Sequence, residues 1–318
     1  MRTKLYMIAL AAISMMLGSC SDTNSEFSQD FLADTPIKLN VSVDEPTTRA
    51  GYSDADKPTG FVLDVNNNKA EKYNYLVWAK KVGDSWKTYK PDETLKGGTD
   101  EEVTMLWANM NDKVDVTAFT NIGTITIPTD QTSDDQLKEA DVLYMPFTKY
   151  TPTNKGITVN LQHAMSKINL TIELGSEFEF TEDINKKITD VKIDGSSVSG
   201  DLASGGIYDV SGDPTPITPL YTGETAFSKE AGKITKASAT YEAILVPQDI
   251  ASGEFTVSFK VEGKLYEWAY NNEAGLTLAP NTAYTLKLIA GDDKVQPVSF
   301  SVAEWKAGNG DGEKKETD

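Results

Sequence analysis

Hydrophobic and polar residues alternate with a period of two in short runs along most of the chain. The first run is IKLNVSV (37–43), in which Ile37, Leu39, Val41 and Val43 alternate with Lys38, Asn40 and Ser42. It is followed by YLVWAKK (75–81), VDVTAF (114–119), ITVNL (157–161), KINLTIEL (167–174), EAILVP (242–247), EFTVSFKV (254–261), AYTLKLIA (283–290) and VSFSVAEW (298–305). Each is rich in β-branched and aromatic residues, of strand length, and bounded by Gly, Pro, Asn or Asp, the pattern of half-buried strands. Only SDDQLKEADVLY (133–144) predicts a helical turn, opened by Ser133 or Asp134 as its cap. Many strands and almost no helix predict an all-β protein, read here as two packed β-sandwich (transthyretin-like) domains in tandem.

The middle of the chain, GITVNLQHAMSKINLTIEL (156–174), holds two strands that meet near Gln162 to Ser166. The domain boundary is therefore expected at about 165, giving domains at 50–165 and 166–318. Residues 195–240 are rich in Gly, Ser, Thr and Pro and are expected to form long surface loops around one or two short strands. The tail from Gly308 is expected to be mobile.

The N-terminus changes the picture of where the protein works. Arg2 and Lys4 precede an apolar run from Leu5 to Leu17. Its 13 residues are too short for a membrane span, which needs about 20, and fit a secretory signal. Leu17-Gly18-Ser19-Cys20 resembles the lipobox of bacterial lipoproteins, in which the cysteine is acylated and becomes the new N-terminus. Cys20 is the chain's single cysteine, so no intrachain disulfide can form. Removal of residues 1–19, with Arg2 and Lys4, leaves 299 residues and takes the net charge from −18 to −20. Such an acidic chain is unsuited to nucleic acid and to a basic membrane-surface patch, which leaves the lipid as the anchor.

Candidate chemistry is sparse. The single histidine, His163, lies between apolar strands in NLQHAMSK and reads as structural or interfacial rather than catalytic. In DVNNNK, Asp64, Asn66 and Asn68 start like a calcium loop. Lys69 then stands where the turn glycine belongs and Tyr75 where the bidentate glutamate belongs, so a polar turn is the better reading. GTDEEV (98–103) reads as a solvated loop. Trp78, Trp86, Trp107, Trp268 and Trp305 could form a carbohydrate platform, although tryptophans more often fill sandwich cores. No catalytic residue, metal site or cofactor is predicted.

Arginine occurs twice, as Arg2 and as Arg49, while the remaining basic residues are lysines. Arg49 lies in EPTTRAGYSD (45–54), a polar segment directly after the 37–43 strand. A cut after Arg49 would leave residues 20–49 held only by that strand. Its four apolar side chains contribute about 6–12 kcal/mol if fully buried, and its loss would leave an apolar groove that templates another strand. The terminal run repeats the pattern, with Val298, Phe300 and Val302 on one face, closed by Trp305. One strand could replace the other between copies, or both could pair within one chain.

These pieces together resemble the fimbrillin family of Bacteroidales, the subunits of type V pili and their fimbrillin-like relatives. The resemblance rests on the LGSC lipobox, the strand followed by TTRA, VLYM…GITVNLQHAMSKINLTIEL, LAPNTAYTLKL (278–288) and VSFSVAEW. It implies export as a lipoprotein lipidated at Cys20, and cleavage between Arg49 and Ala50 by an arginine-specific protease. It further implies loss of the strand carrying Ile37, Leu39, Val41 and Val43, and donation of the strand carrying Val298, Phe300, Val302 and Trp305 to a neighbouring pilus subunit. The expected location is the outer membrane and cell surface, in a fimbrium that supports adhesion. The alternatives are a lipid-anchored surface protein that binds a glycan or host ligand, a pilus anchor or tip subunit that does not polymerise, and a surface hydrolase using carboxylates.

Overall fold

A computed structural model describes residues 33–43, 51–53, 56–175, 178, 188–202, 208–224, 228–230, 233–291 and 294–305. Cys20, Arg49, Ala50 and the tail from Gly308 lie outside them. The expectation of an all-β chain holds: the described residues form 22 strands, one α-helix and one 3-10 turn.

The N-terminal strands are β1 (Leu39–Val43), β2 (Gly60–Asn66), β3 (Tyr75–Val82), β4 (Ser85–Pro91), β5 (Gly98–Glu102), β6 (Val114–Phe119) and β7 (Gly123–Thr126). The helix α1 (Asp134–Ala140) follows, then β8 (Leu143–Tyr150), β9 (Ile157–His163) and β10 (Ser166–Leu174). Next come β11 (Ile188–Asp194), β12 (Ser197–Leu202), β13 (Tyr208–Pro214), β14 (Leu220–Glu224), β15 (Ser228–Glu230) and β16 (Lys233–Leu245). The chain closes with β17 (Gln248–Ile250), β18 (Thr256–Val261), β19 (Lys264–Ala269), β20 (Leu276–Leu278), β21 (Thr282–Ala290) and β22 (Val295–Glu304).

One eight-stranded sheet runs β1-β9-β8-β6-β2-β3-β4-β5, so β1 and β5 are its edges. A six-stranded sheet runs β14-β16-β10-β21-β22, with β15 paired to β16. Two three-stranded sheets, β11-β18-β19 and β13-β12-β7, and the β17-β20 pair complete the set. The passage from the first large sheet to the second is Ala164-Met165, between β9 and β10, and both residues are fully buried.

Two hydrophobic clusters hold these sheets. Phe61, Leu63, Met105, Trp107, Val116 and Leu161 belong to the one under the eight-stranded sheet. Ile168, Leu170, Leu245, Phe255, Phe259 and Leu286 belong to the other, between the six-stranded sheet and β11-β18-β19. Residues from the β7–α1 region, including Ile125, Ile127 and Leu137, also feed the second cluster. Gln131 fixes them there, because its buried amide exchanges two hydrogen bonds with the backbone of Ile244 at 2.8 Å each. The helix begins as its sequence predicts. Ser133 caps it, accepting from Gln136 N–H while the Gln136 side chain accepts from Ser133 N–H.

Two segments differ from the sequence reading. Residues 195–240 carry β12, β13, β14, β15 and the start of β16 rather than long loops around one or two strands. In SVSGDL the face that packs on the second cluster is interrupted at Gly200 between Val198 and Leu202, and YDVSGDP holds mostly small and polar residues, yet their backbones pair all the same. GTDEE forms the edge strand β5, with all five residues exposed, and an edge strand with no buried face leaves no periodic signal.

Candidate functional site

Residues 34–43, which precede Arg49, are fastened along their length. Asp34 N–H donates to Trp107 O at 2.8 Å, Ile37 N–H to Met105 O at 2.9 Å, and Trp107 N–H to Thr35 O at 3.0 Å. Strand β1 then pairs parallel to β9, from Leu39 opposite Ile157 to Val43 opposite Leu161. At its start, Gly156 passes with φ +82° so close to Lys38 that a Cβ there would stand 2.1 Å from the Lys38 carbonyl oxygen. Only glycine fits that approach. The Lys57 ammonium donates to Val41 O at 2.7 Å, at the middle of the strand.

The displaced-strand residues do share a face toward the first cluster. Val43 is buried, while Ile37, Leu39 and Val41 are half-buried. Half burial at three of four positions lowers the apolar contribution to about 4–7 kcal/mol. The reduction follows from the position of β1 at the sheet edge, where side chains are covered from one flank only. Among the described residues β9 is the sole strand partner of β1, so removing β1 would turn β9 into an open edge.

The terminal strand sits at an edge too. β22 pairs antiparallel with β21 in the same chain, from Val295 opposite Ala290 to Glu304 opposite Thr282. Phe300 packs on Tyr270 and Tyr284, with ring centroids 5.1 and 6.0 Å away. Val298 and Val302 remain 49% and 56% exposed, so this apolar face is largely uncovered within the chain. The ladder shifts register between Lys287 and Leu288, which places Val298 in an irregularity next to Pro297 and breaks the uniform alternation expected from the sequence.

Trp305 is different, being only 2% exposed. Its indole stacks on the His163 imidazole at 3.8 Å and 7°, and the Trp305 backbone N–H donates to Asn281 O at 2.8 Å. His163 Nδ1 is 2.9 Å from Asp141 Oδ1, with both side chains fully buried. The other oxygen of Asp141 accepts from Tyr52 N–H at 2.8 Å. Gly51, with φ +91°, lies against the same group: a Cβ there would be 2.5 Å from Asp141 Oδ2 and 3.5 Å from Trp305 Cζ2. The residues just after Arg49 and the end of the last strand therefore meet at one buried cluster.

Charge surrounds this cluster. Lys167 and Glu242, both buried, pair at 3.0 Å, and the Lys167 ammonium lies 5.7 Å from the Trp305 ring centroid. Burial pulls the Lys167 ammonium below its ordinary value of 10.5, with Glu242 opposing the shift. Burial, reinforced by the Asp141 charge, raises the Tyr52 hydroxyl. The hydrogen bond to Asp56 raises the Lys138 ammonium.

The five tryptophans do not build a common platform. Trp107 and Trp305 are buried, and Trp78, Trp86 and Trp268 are half-buried in separate places. The calcium-like residues serve other ends: Asn68 donates to Asp115 at 2.7 Å and Lys69 pairs with Asp112 at 2.7 Å. Among the described residues no group of three or more His, Cys, Asp or Glu side chains could hold a metal ion. An open groove of about 390 Å³ lies between β11 and β14/β16, lined by Asp190, Lys192, Pro219, Tyr221 and Tyr241 among others. Tyr221 and Tyr241 meet edge to face at 5.6 Å. Sequence reasoning did not find this groove, because its residues come from three strands and the segment before β14 and carry no motif.

Comparison with known proteins agrees with the architecture. The structure is similar to a candidate cell adhesion protein from Bacteroides ovatus, with a TM-score of 0.58 at 15% identity, over 86% of this chain and 98% of that one. A second candidate cell adhesion protein, from Bacteroides uniformis, gives 0.52 at 14% identity over the same shares. A weaker similarity, 0.44 at 8% identity over 85% of this chain and 99% of the other, is to the tip fimbrial protein Mfa3 from Porphyromonas gingivalis. No curated protein matches the sequence. The sequence model of the fimbrillin-like family matches residues 48–305, from just before Arg49 through Trp305. The chain belongs to the fimbrillin-like family.

Proposed function

We propose that this protein is a structural subunit of a cell-surface pilus, exported as a lipoprotein through Cys20, processed between Arg49 and Ala50, and polymerised by strand exchange. The observation that carries this reading is the placement of β1: an edge strand with a single strand partner, ahead of the only arginine left after signal removal. A cut after Arg49 severs it from the rest of the fold without breaking any other described strand. Its loss opens the β9 edge and the apolar side chains beneath it, which is a template for strand addition.

The last strand is suited to fill that place in another copy. Val298 and Val302 are largely exposed in their own chain and would be covered in a groove shaped for Leu39, Val41 and Val43. Donation from each subunit to the next is a heterologous contact, which propagates as a filament. Family membership supports a role in fimbriae and adhesion at the cell surface rather than catalysis.

The test is limited digestion of residues 21–318 with an arginine-specific protease, followed by mass spectrometry and negative-stain microscopy. The expected result is one cut at Arg49, release of the 37–43 strand, and ladders or fibres, all abolished by Arg49→Lys. A cut protein that keeps its strand and remains a monomer would overturn polymerisation by this route, leaving an anchor subunit or a ligand-binding lipoprotein.

A further inference from the structure

Two events are needed if β1 is to be lost and β22 donated: an acceptor edge must open, and a donor strand must leave its own sheet. The geometry points to a direct connection between them. We propose that Gly51 and Tyr52, the residues immediately downstream of the processing site, act as a clamp that holds Trp305 and thereby keeps β22 in its own chain until Arg49 is cut. This rests on the strand-exchange reading above and adds to it the means by which an uncut subunit is kept from donating.

The clamp is built from four chain segments. Gly51 is buried against both the Asp141 carboxylate and the Trp305 ring, and its positive φ of +91° lets the backbone approach as no other residue would. Tyr52 N–H holds one oxygen of Asp141 at 2.8 Å, and the other oxygen holds His163 Nδ1 at 2.9 Å. His163 presents its face to Trp305 at 3.8 Å. The titratable and charged groups around the stack are Asp141 from the end of α1, Lys167 from β10 and Glu242 from β16. Removing the backbone of residues 51–52 would therefore uncover one edge of Trp305 and take a hydrogen bond from the carboxylate that orients its stacking partner.

Besides Trp305, β22 is held by its backbone ladder to β21 and by Phe300 on Tyr270 and Tyr284. Its two valines in the 298–302 stretch, Val298 and Val302, are about half exposed, at 49% and 56%. Trp305 is the one side chain in the terminal stretch that is buried. In the uncut chain, residues 51–52 lie between β1, which ends at Val43, and β2, which begins at Gly60. A cut after Arg49 leaves Gly51 second from a new chain end, where backbone frays readily. A single cleavage would thus release the acceptor edge and loosen the donor strand together.

The test is hydrogen exchange of the uncut chain from Ser21 to Asp318, which holds every described residue, read by mass spectrometry without protease or assembly. Gly51→Ala introduces a Cβ into Asp141 at a strained φ and should raise exchange of residues 295–305 at least tenfold, while β3 and β4 remain as in the parent. Tyr52→Pro, which removes the donated N–H together with the ring that packs on the first cluster, should raise the same peptide by a smaller factor, whereas Tyr52→Ala, which keeps the N–H, should not; this pair covers the case in which Gly51→Ala fails to fold. Cutting at Arg49 should produce the same local increase. If Gly51→Ala and Tyr52→Pro both leave residues 295–305 within twofold of the parent, or raise exchange equally in β3 and β4, the clamp is overturned. Fibres that form after cutting despite such a result would leave strand exchange standing. Local release without any fibre would uphold the clamp and overturn polymerisation.

Discussion

Trp305→Ala is the substitution that most directly weighs the anchoring of the last strand. The indole is 2% exposed and stacked on His163, so its truncation removes a fully buried aromatic side chain and leaves a cavity beside a buried ion pair. Such truncations cost about 3–5 kcal/mol, a large share of the stability of a typical domain, about 5–15 kcal/mol. The Trp305 Nε1–H has no hydrogen-bond acceptor among the described residues, and an unpaired buried donor carries a desolvation cost of about 1–3 kcal/mol. Trp305→Phe keeps an apolar plate against His163 and discards that donor, so the two effects offset and the expected loss is below about 1.5 kcal/mol. Urea unfolding gives the global difference, and hydrogen exchange of residues 295–305 gives the local one. A loss of 3 kcal/mol that is confined to the strand end corresponds to more than roughly a hundredfold faster local exchange. An Ala variant within about 0.5 kcal/mol of the parent by both measures would refute the anchor. Equal losses for Ala and Phe would show that the full width of the indole on His163, rather than any apolar plate, carries the energy.

Three further outcomes follow from the described contacts. Lys167→Met strands the Glu242 carboxylate in the interior and should cost about 3–5 kcal/mol, whereas Lys167→Met with Glu242→Leu should be close to neutral in a double-mutant cycle of urea unfolding. Gly156→Ala forces a side chain against the Lys38 carbonyl at a positive φ. It should cost at least about 1–2 kcal/mol and raise exchange of residues 37–43 before any other strand of the first sheet. The Asp115 carboxyl is held below its ordinary value of 3.8, first by the hydrogen bond from Lys149 and then by that from Asn68. Its contribution is thus fully present above that value and is lost as pH falls through the lower, folded-state value, so Asp115→Asn should flatten the acid limb of thermal stability below about pH 4.

What the sequence discloses and what it hides can be traced to particular residues. β1, β9, β10 and β21 are legible because one face of each is buried, which forces apolar residues onto alternate positions. β5 is hidden because all its side chains face solvent, and β12 because Gly200 interrupts the face that Val198 and Leu202 turn to the core. The two strands of the proposed exchange were visible as similar faces, but their status as sheet edges was not, since edges are set by topology. The meeting of Gly51, Asp141, His163 and Trp305 was also out of reach, because it joins residues from opposite ends of the chain. A histidine embedded between apolar strands and a tryptophan closing the last one were its only sequence signals.

The central claim is that the place vacated by β1 is taken by β22 of another subunit, and one crosslinking experiment addresses it directly. A photo-crosslinking residue placed at Asn160 of β9, which lies opposite Ser42 of β1, is introduced into normal-isotope and ¹⁵N-labelled chains. The two are mixed, cut at Arg49 and irradiated. Before cutting, the account predicts crosslinks to residues 37–43 of the same chain. After cutting, it predicts crosslinks to residues 295–305 carrying mixed isotope masses, the mark of a second copy. Crosslinks that remain on 37–43, or that reach 295–305 only within one chain, would contradict it.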